Sequence, residues 1–316
     1  MLEHILIADE SPHFAELNAN ILSKAGFSVI VVNSKEDAFY VMENYPIFCY
    51  IIDTILKDGS GFDLYYKIIK EVPHPKLIMT TFDDVDQYFE DVIKNEVSLL
   101  LAKPFKKTEL LSVVKKVITS SNIFGLDNYL SPILNLKHIR ITDSKKVRSA
   151  IVKIIDYAEK WNFNFENKIS IQLAIQEMLT NAIYHSHGYT KQKENRENII
   201  LPDGEFVDIY FGRDKTHLGI SIIDYNGKLT KEKIFHTLQE NIAQEKIIDS
   251  VNSGSSEFED KILTRGRGLD LVRKLSGEYY FNLEYNKKTE IILLFDVLYQ
   301  KDDRFSSIKI FEINKD

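Results

Sequence analysis

The first 120 residues alternate short unbroken apolar runs with amphipathic segments. The runs are His4–Ala8, Ser28–Val32, Phe48–Ile52, Lys76–Met79 and Ser98–Ala102. Runs of this length with helical segments between them predict βα units and a parallel sheet. Their lack of polar alternation predicts strands covered on both faces. From Lys106 to Ile118 the spacing of Leu110, Leu111, Val113, Val114 and Val117 predicts a closing helix. The texture then changes between Ser120 and Pro132, where Gly125 and Pro132 interrupt any periodicity and mark a joint. Beyond it, Ile139–Thr142 reads as a strand. Ser144–Lys160 reads as a helix burying Val147, Ile151, Ile154, Ile155 and Ala158. Lys168–His187 lacks Gly and Pro and predicts a helix of about five turns. Its buried arc comprises Ile171, Ile175, Met178, Leu179, Ala182 and Ile183. Leu218–Ile223, Glu290–Val297 and Ser307–Ile313 complete the set as strands. A chain of 316 residues exceeds one ordinary core. The expected division is residues 1–121, a linker at 122–135, and a second domain at 136–316.

In the first domain, polar residues fall where the apolar runs end. Asp9 and Glu10 close the first run, Asp53 the third, Thr80 the fourth and Lys103 the fifth. An open parallel sheet gathers ligands at the carboxyl ends of its strands, so these five side chains are expected to meet. Three acids together repel one another, and a hard divalent cation such as Mg2+ relieves that conflict. A cation-screened Asp53 can act as nucleophile toward a phosphoryl group, with Lys103 and the Thr80 hydroxyl holding the transferred oxygens.

This segment closely resembles the receiver domain of two-component response regulators. The resemblance makes Asp9 and Glu10 the acidic pair that holds Mg2+ with Asp53. It makes Asp53 the phosphoacceptor, Thr80 the switch hydroxyl and Lys103-Pro104 the characteristic Lys-Pro step. Asp58-Gly-Ser-Gly-Phe62 matches the loop after the phosphoacceptor. The implied fold is a flavodoxin-like, doubly wound α/β domain with a five-stranded parallel sheet. The chain departs from the usual pattern at Lys57, Thr81 and Leu100, the last standing where many receivers carry a mobile aromatic ring. Ile55 and Phe82 take positions that flank the attacking water in such sites, which predicts a long-lived phosphoryl group.

In the second domain, Glu177, Asn181 and His185 succeed one another at intervals of four along the edge of the buried helical arc. Such a stripe suits a solvated helix edge or the wall of a polar pocket. Asp224-Tyr-Asn-Gly227 follows an apolar run, and Arg265-Gly-Arg-Gly-Leu269 opens another helix. The three segments together resemble the N-box and the two glycine boxes of the GHKL ATPase superfamily, an α+β sandwich of helices on a mixed sheet. The order of strand, helix and Glu/Asn/His helix is most similar to its anti-sigma-factor serine kinase branch. The resemblance implies Glu177 as general base and Asn181 as a ligand of Mg2+ that bridges ATP phosphates. It implies Asp224 as acceptor of the adenine amine, with Gly227, Arg265, Gly266, Arg267 and Gly268 around the nucleotide and His185 capping the site. Where the family shows Asp-x-Gly-x-Gly, this chain has Asp224, Asn226 and Lys228, so Asn226 is expected to supply a left-handed turn conformation. Residues Lys228 to Thr264 fit an ATP lid. The charged stretch Thr190–Asn198 reads as a solvated loop or a docking segment.

Composition narrows the classes. A net charge of −7 argues against broad nucleic-acid binding. The single cysteine, Cys49, lies in an apolar run and is expected to be a buried free thiol. With neither a signal-like start nor an apolar stretch of spanning length, a cytoplasmic protein without membrane contact is expected. The resemblances imply a response regulator charged at Asp53 by an upstream histidine kinase or phosphotransfer protein. Its ATP- and Mg2+-dependent output domain would phosphorylate a Ser or Thr of a STAS-type anti-sigma-factor antagonist, or hold a sigma factor, with homodimerisation as in the family. Two alternatives stand beside this: an unorthodox histidine kinase, although His138 is the only nearby histidine and lacks a His-Glu or His-Asp step, and a non-catalytic ATP-binding module that sequesters its partner. The carboxyl-terminal extension carries no legible function.

Overall fold

The apolar runs form β1 (His4–Ala8), β2 (Ser28–Val32), β3 (Ile47–Asp53), β6 (Leu77–Thr81) and β7 (Leu99–Ala102), and a short hairpin of β4 (Ile55–Leu56) with β5 (Gly59–Ser60) follows β3. In the computed structural model, residues 3–119, 123–163, 168–252, 269, 272–273, 277–296 and 306–313 are described. They divide into two units, Met1–Asn122 with Arg304–Lys309, and Ile123–Asp303 with Ile310–Asp316.

In the first unit the strands run in the order β2-β1-β3-β6-β7, all parallel. Around them lie α1 (Pro12–Lys24), α2 (Lys35–Asn44), α3 (Gly61–Glu71), α4 (Phe89–Lys94) and α5 (Lys107–Thr119). Each of the first three helices starts where a serine can cap it. Ser11, Ser34 and Ser60 accept from backbone N–H groups of the first turn, and Pro12 opens α1 where its missing N–H costs nothing. The Asp58 carboxylate caps α2 across the loop, accepting from Lys35 N at 2.8 Å and Glu36 N at 3.2 Å. These two contacts tie the loop after β3 to the sheet end. The core is the apolar strands themselves: Ile5, Leu6, Ile52, Ile78, Met79, Leu100 and Leu101 are fully buried. Cys49 is buried with them, and desolvation pushes its thiol up to about 12, so it is an inert packing group. The expected extra strand is β13 (Ile308–Glu312), and its Ile308 and Lys309 pair antiparallel with Leu100 and Leu99. The Ser307 hydroxyl accepts from Ala102 N, and Lys309 Nζ sits 2.5 Å from Glu109 Oε1, both side chains buried.

The second unit contains β8 (Leu134–Ile141), α6 (Val147–Lys160), α7 (Lys168–Thr180), α8 (Thr190–Glu194), β9 (Val207–Arg213), β10 (His217–Asp224), α9 (Lys231–Asn252), β11 (Glu278–Glu284) and β12 (Lys288–Asp296). Its strands run antiparallel in the order β11-β12-β10-β9-β8, and Ile310, Phe311 and Glu312 pair parallel with β11. The apolar arcs of α6 and α7 are buried as the periodicity predicts, including Ile154, Ile155, Ile175, Met178, Leu179 and Ile183. Tyr157 of α6 and Trp161 at its C-cap lie against the Phe211 ring of β9, which fixes that helix on the sheet. Residues 123–130 also belong to this unit. Leu126 and Leu130 lie against Gly219 of β10, and the Tyr129 ring packs at a tilt against Tyr280. Beneath them is a closed polar network: Gly125 N donates to Glu290 Oε2 at 2.8 Å, Ser221 Oγ donates to Glu290 Oε1 at 2.5 Å, and Asn282 Nδ2 donates to the Ile123 carbonyl at 2.7 Å. Burial raises the Glu290 carboxyl, opposed by the hydrogen bonds from Ser221, Gly125 and Asn282.

Candidate functional site

The first site lies at the carboxyl ends of β1, β3, β6 and β7. Asp9, Asp53, Thr80 and Lys103 are all buried there. Thr80 stands directly opposite Asp53 in the parallel register of β3 and β6. Lys103 Nζ bridges the two acids, 2.6 Å from Asp9 Oδ2 and 2.6 Å from Asp53 Oδ2. The other oxygens are held by the chain: Asp9 Oδ1 accepts from Ser11 N, and Asp53 Oδ1 from the Thr54 hydroxyl and Ile55 N. Burial pushes the Asp53 carboxyl up to about 6 against the pull of Lys103, and Asp9 adds to the rise. Gly61 is required here, because a Cβ would stand 1.8 Å from the Asp53 carbonyl oxygen. The Lys103 ammonium also faces the rings of Phe14 and Phe82, at 4.8 and 4.7 Å from their centroids. Phe82 and Ile55 are both exposed at this end of the sheet, as a flanking role for them requires.

Glu10, the next residue along from Asp9, is exposed. The Asp9 and Asp53 carboxylates each give one oxygen to Lys103 Nζ, and two carboxylates this close together, with Glu10 as the third acid expected there, are a donor set suited to Mg2+.

The second site is built on α7 and the turn that follows it. Asn181–His185 has a π-helical hydrogen-bond pattern, closed by Ser186 N to the Asn181 carbonyl and Tyr189 N to the Tyr184 carbonyl. The expected five-turn helix therefore widens at Asn181, a distortion common at functional sites. Glu177 and Asn181 remain on one edge, both half-buried. Their oxygens converge on Lys193 Nζ, 2.8 Å from Glu177 Oε1 and 2.5 Å from Asn181 Oδ1. An ammonium bridging a carboxylate and an amide oxygen shows that the pair can face one cation, which is what a Mg2+ ligand set needs. His185 is exposed, with Nδ1 3.0 Å from Thr190 Oγ1. Partial desolvation and then the Lys193 charge hold its imidazole below the ordinary value, so it is neutral at pH 7.

Asp224 ends β10 and is buried. Its Oδ1 accepts from Asn226 N at 3.1 Å and Gly227 N at 2.9 Å, which folds the chain into a tight turn. The left-handed residue of that turn is Gly227, at φ +56°, and not Asn226 as expected. A Cβ at Gly227 would meet the Glu284 carbonyl oxygen at 2.5 Å and two backbone nitrogens at 2.6 Å. Close backbone packing demands glycine there, and Asn226 uses its amide to reach the Ser186 carbonyl instead. Burial raises the Asp224 carboxyl, opposed first by Gly227 N–H. Arg265, Gly266, Arg267 and Gly268 lie outside the described residues, as does most of the expected lid beyond Asn252.

Two residues escape sequence reasoning. Thr289 stands opposite Asp224 in the β10–β12 register, and its buried hydroxyl has no hydrogen-bond partner among the described residues. A buried hydroxyl without a partner beside a carboxylate is costly unless a ligand or water completes it. Only the strand register reveals this pair. Lys193 lies in the stretch read as a solvated loop, where a run of charges gives no hint of which one turns inward.

The comparisons with known proteins concern the two domains. The family model described as response regulator receiver domain matches residues 5–115, and that described as histidine kinase-like ATPase domain matches residues 142–295. A heme response regulator, HssR, of Staphylococcus saprophyticus is 29% identical over 144 residues, 45% of this chain and 63% of the relative. The chain thus spans less than two thirds of that relative's length. Among solved structures, a CheY-like receiver domain protein from Methanospirillum hungatei is 23% identical with a TM-score of 0.36, over 38% of this chain and 96% of that one. A response regulator from Thermotoga maritima is 25% identical with a TM-score of 0.34, over 38% and 99%. The chain is a response regulator receiver domain joined to a histidine kinase-like ATPase domain of the GHKL type.

Proposed function

We propose that phosphorylation of Asp53 controls an output domain that transfers the γ-phosphoryl group of ATP to a serine or threonine of a partner protein. The observation that carries this reading is the convergence of Glu177 and Asn181 on one cation point, beside a π-turn and on the same helix edge. Among the described residues no helical hairpin with a phosphoacceptor histidine stands ahead of this domain, and His138 pairs with buried Asp208 of β9 at 2.8 Å. This supports a separate protein as the substrate in our reading.

An upstream phosphohistidine supplies the first phosphoryl group. An Asp53 oxygen attacks phosphorus, the P–N bond breaks, and the histidine leaves. Lys103 then pairs with the phosphoryl oxygens and the Thr80 hydroxyl approaches them from β6. In the output domain Asp224 and Thr289 would hold the adenine, Asp224 accepting from its amine and Thr289 satisfying its orphaned hydroxyl on the ring or a bridging water. Glu177 takes the proton of the attacking hydroxyl as the O–P bond forms and ADP departs. Neutral His185 and the expected Arg265-to-Gly268 segment would close the site. Asn181 in this domain, and Asp9, Glu10 and Asp53 in the receiver, would hold Mg2+, which would supply charge neutralisation of the phosphates. A STAS-type antagonist or a sigma factor is the partner class we favour, in a cytoplasmic protein; no helix among the described residues is long and apolar enough to cross a membrane.

The test is γ-labelled ATP with Mg2+, purified protein and a lysate of its own source, with and without charging Asp53 by a small phosphoryl donor. Acid-stable label on a partner, changed by charging and lost in Glu177→Ala, is the expected result. Acid-labile label on this chain or a carrier would replace the reading with a histidine kinase.

A further inference from the structure

The segment after α7 is held inward by several independent contacts. Tyr189 N donates to the Tyr184 carbonyl at 2.7 Å, Thr190 Oγ1 meets His185 Nδ1, and the Tyr184 hydroxyl donates to the Glu197 carbonyl at 2.8 Å. Gly188, at φ +81°, makes the reversal between α7 and α8. The outcome is a short helix whose Lys193 points at the edge of α7 that carries Glu177 and Asn181. A surface lysine meeting one carboxylate would be an ordinary ion pair of little consequence. Lys193 does something narrower: it takes the amide oxygen of Asn181 together with Glu177 Oε1. An amide oxygen has no charge to attract a lysine across the surface, so its capture reports that the ammonium sits where two oxygens converge. The Lys193 side chain is only about one-fifth exposed there.

We propose that Lys193 is a positioning residue of the nucleotide site: in the nucleotide-free state its ammonium occupies the cation point of Glu177 and Asn181, and the divalent metal must displace it. This rests on the nucleotide-site reading of Glu177 and Asn181. The metal would take Asn181 Oδ1, which the Lys193 ammonium holds at 2.5 Å, and the two cations cannot share that oxygen, because like charges that close repel strongly outside bulk water. The ammonium keeps both oxygens convergent and satisfied while the site is empty. It also makes metal entry conditional on a conformer of Lys193 turned outward, which lowers apparent metal affinity by the fraction of that conformer. Direct binding then favours metal that arrives with a nucleotide, whose phosphates offer the displaced ammonium a new partner.

The experiment uses the full chain, ADP and Mn2+ as the metal probe, with no turnover. The Mn2+ concentration giving half-maximal ADP binding is measured by calorimetry for wild type, Lys193→Met and Lys193→Arg. The expected result is a fall of roughly tenfold in Lys193→Met and a change within about twofold in Lys193→Arg, which keeps a competing cation. In the unsubstituted protein, the side-chain ammonium 1H–15N signal of Lys193 should be protected from exchange without metal and move to the free-lysine position on adding Mg2+ and ADP. An unchanged Mn2+ requirement in Lys193→Met, or an ammonium signal that Mg2+ and ADP leave in place, overturns the proposal. Loss of ADP binding in Lys193→Met at every Mn2+ concentration also overturns it, since Lys193 would then be a nucleotide ligand. If even wild type binds no ADP, the nucleotide-site reading itself falls, an outcome distinct from the others.

Discussion

Replacing the phosphoacceptor by its neutral isostere, Asp53→Asn, should stabilise the receiver at neutral pH. Burial raises the Asp53 carboxyl from its ordinary 3.8 to about 6, despite the Lys103 ammonium 2.6 Å away. A raised carboxyl means the folded state holds a proton that the unfolded chain has already lost. Stability from this group is therefore highest below pH 4 and falls as pH rises from about 4 to about 6. At about 1.36 kcal/mol per pH unit, the total loss is about 3 kcal/mol, of which about 2 kcal/mol falls between pH 4.5 and 8. The amide removes this cost but turns an N–H2 or a neutral oxygen toward Lys103, so the expected net gain at pH 8 is about 1–3 kcal/mol. Other carboxyls titrate with the opposite sign. Burial raises Asp208, for example, yet hydrogen bonds from Arg140, His138 and Tyr225 outweigh it and leave Asp208 below its ordinary value. The informative quantity is thus the difference between wild type and variant. Native-state hydrogen exchange of the buried β1 and β3 amides measures it in the full chain, without requiring both units to unfold together. A difference that changes by less than about 0.5 kcal/mol from pH 4.5 to 8, or that grows toward low pH, would refute the reasoning.

On the proposed adenine role of Asp224 and Thr289, Thr289→Val is expected to weaken ADP binding by about tenfold and Asp224→Asn by more, both read by calorimetry. Retained affinity in both variants would place the base elsewhere. His217 reports a pH dependence of the second unit. Burial pulls its imidazole down, but the Asp296 carboxylate, 3.1 Å from Nε2, with the charges of Glu278 and Asp214, outweighs burial and raises it. The charged form then contributes stability that is complete below about pH 6.5 and lost as pH rises through the raised value. His217→Gln should cost roughly 1 kcal/mol more at pH 6 than at pH 8.5 by hydrogen exchange in β10, and an equal cost at both values would exclude the imidazolium. Finally, Ile55 and Phe82, exposed at the phosphoacceptor end of the sheet, should slow hydrolysis. The aspartyl phosphate formed from a small donor is expected to outlast minutes and to shorten several-fold in Phe82→Ala, whereas decay within seconds in wild type would remove this role.

The receiver strands were legible because they are continuous apolar runs. Asp53, Thr80 and Lys103 stand one residue beyond apolar sequence, so the strand ends and the side chains gathered there are read in one step. Glu10 follows Asp9 beyond the end of β1 and is exposed where Asp9 is buried, a difference that adjacency in sequence does not show. In the second unit, periodicity located the helix edge with Glu177 and Asn181, since interval-four spacing is local. It missed the widened turn at Asn181, which leaves no compositional mark. Thr289 depends on which residue of β12 meets Asp224, and Lys193 on how a polar segment folds back. Both are long-range facts set by register and by backbone hydrogen bonds. Gly227 shows the intermediate case: the glycine was visible, but its reason, three backbone atoms within 2.6 Å of a would-be Cβ, was not.

Each unit meets the same electrostatic problem and answers it with a lysine. Oxygens arranged to hold a cation are costly when none is present, because their lone pairs converge without a donor. In the receiver, Lys103 is fully buried and bridges two carboxylates. Its withdrawal would leave two charges unpaired in the interior, so it must stay in place, and the phosphoryl group and metal have to be added around it. In the ATPase domain, Lys193 is partly exposed and bridges one carboxylate and one amide. Only one charge needs a partner there, and solvent can take the ammonium at small cost. Burial and charge count therefore separate the roles: a fixed lysine that becomes part of the reacting site, and a movable one that yields it.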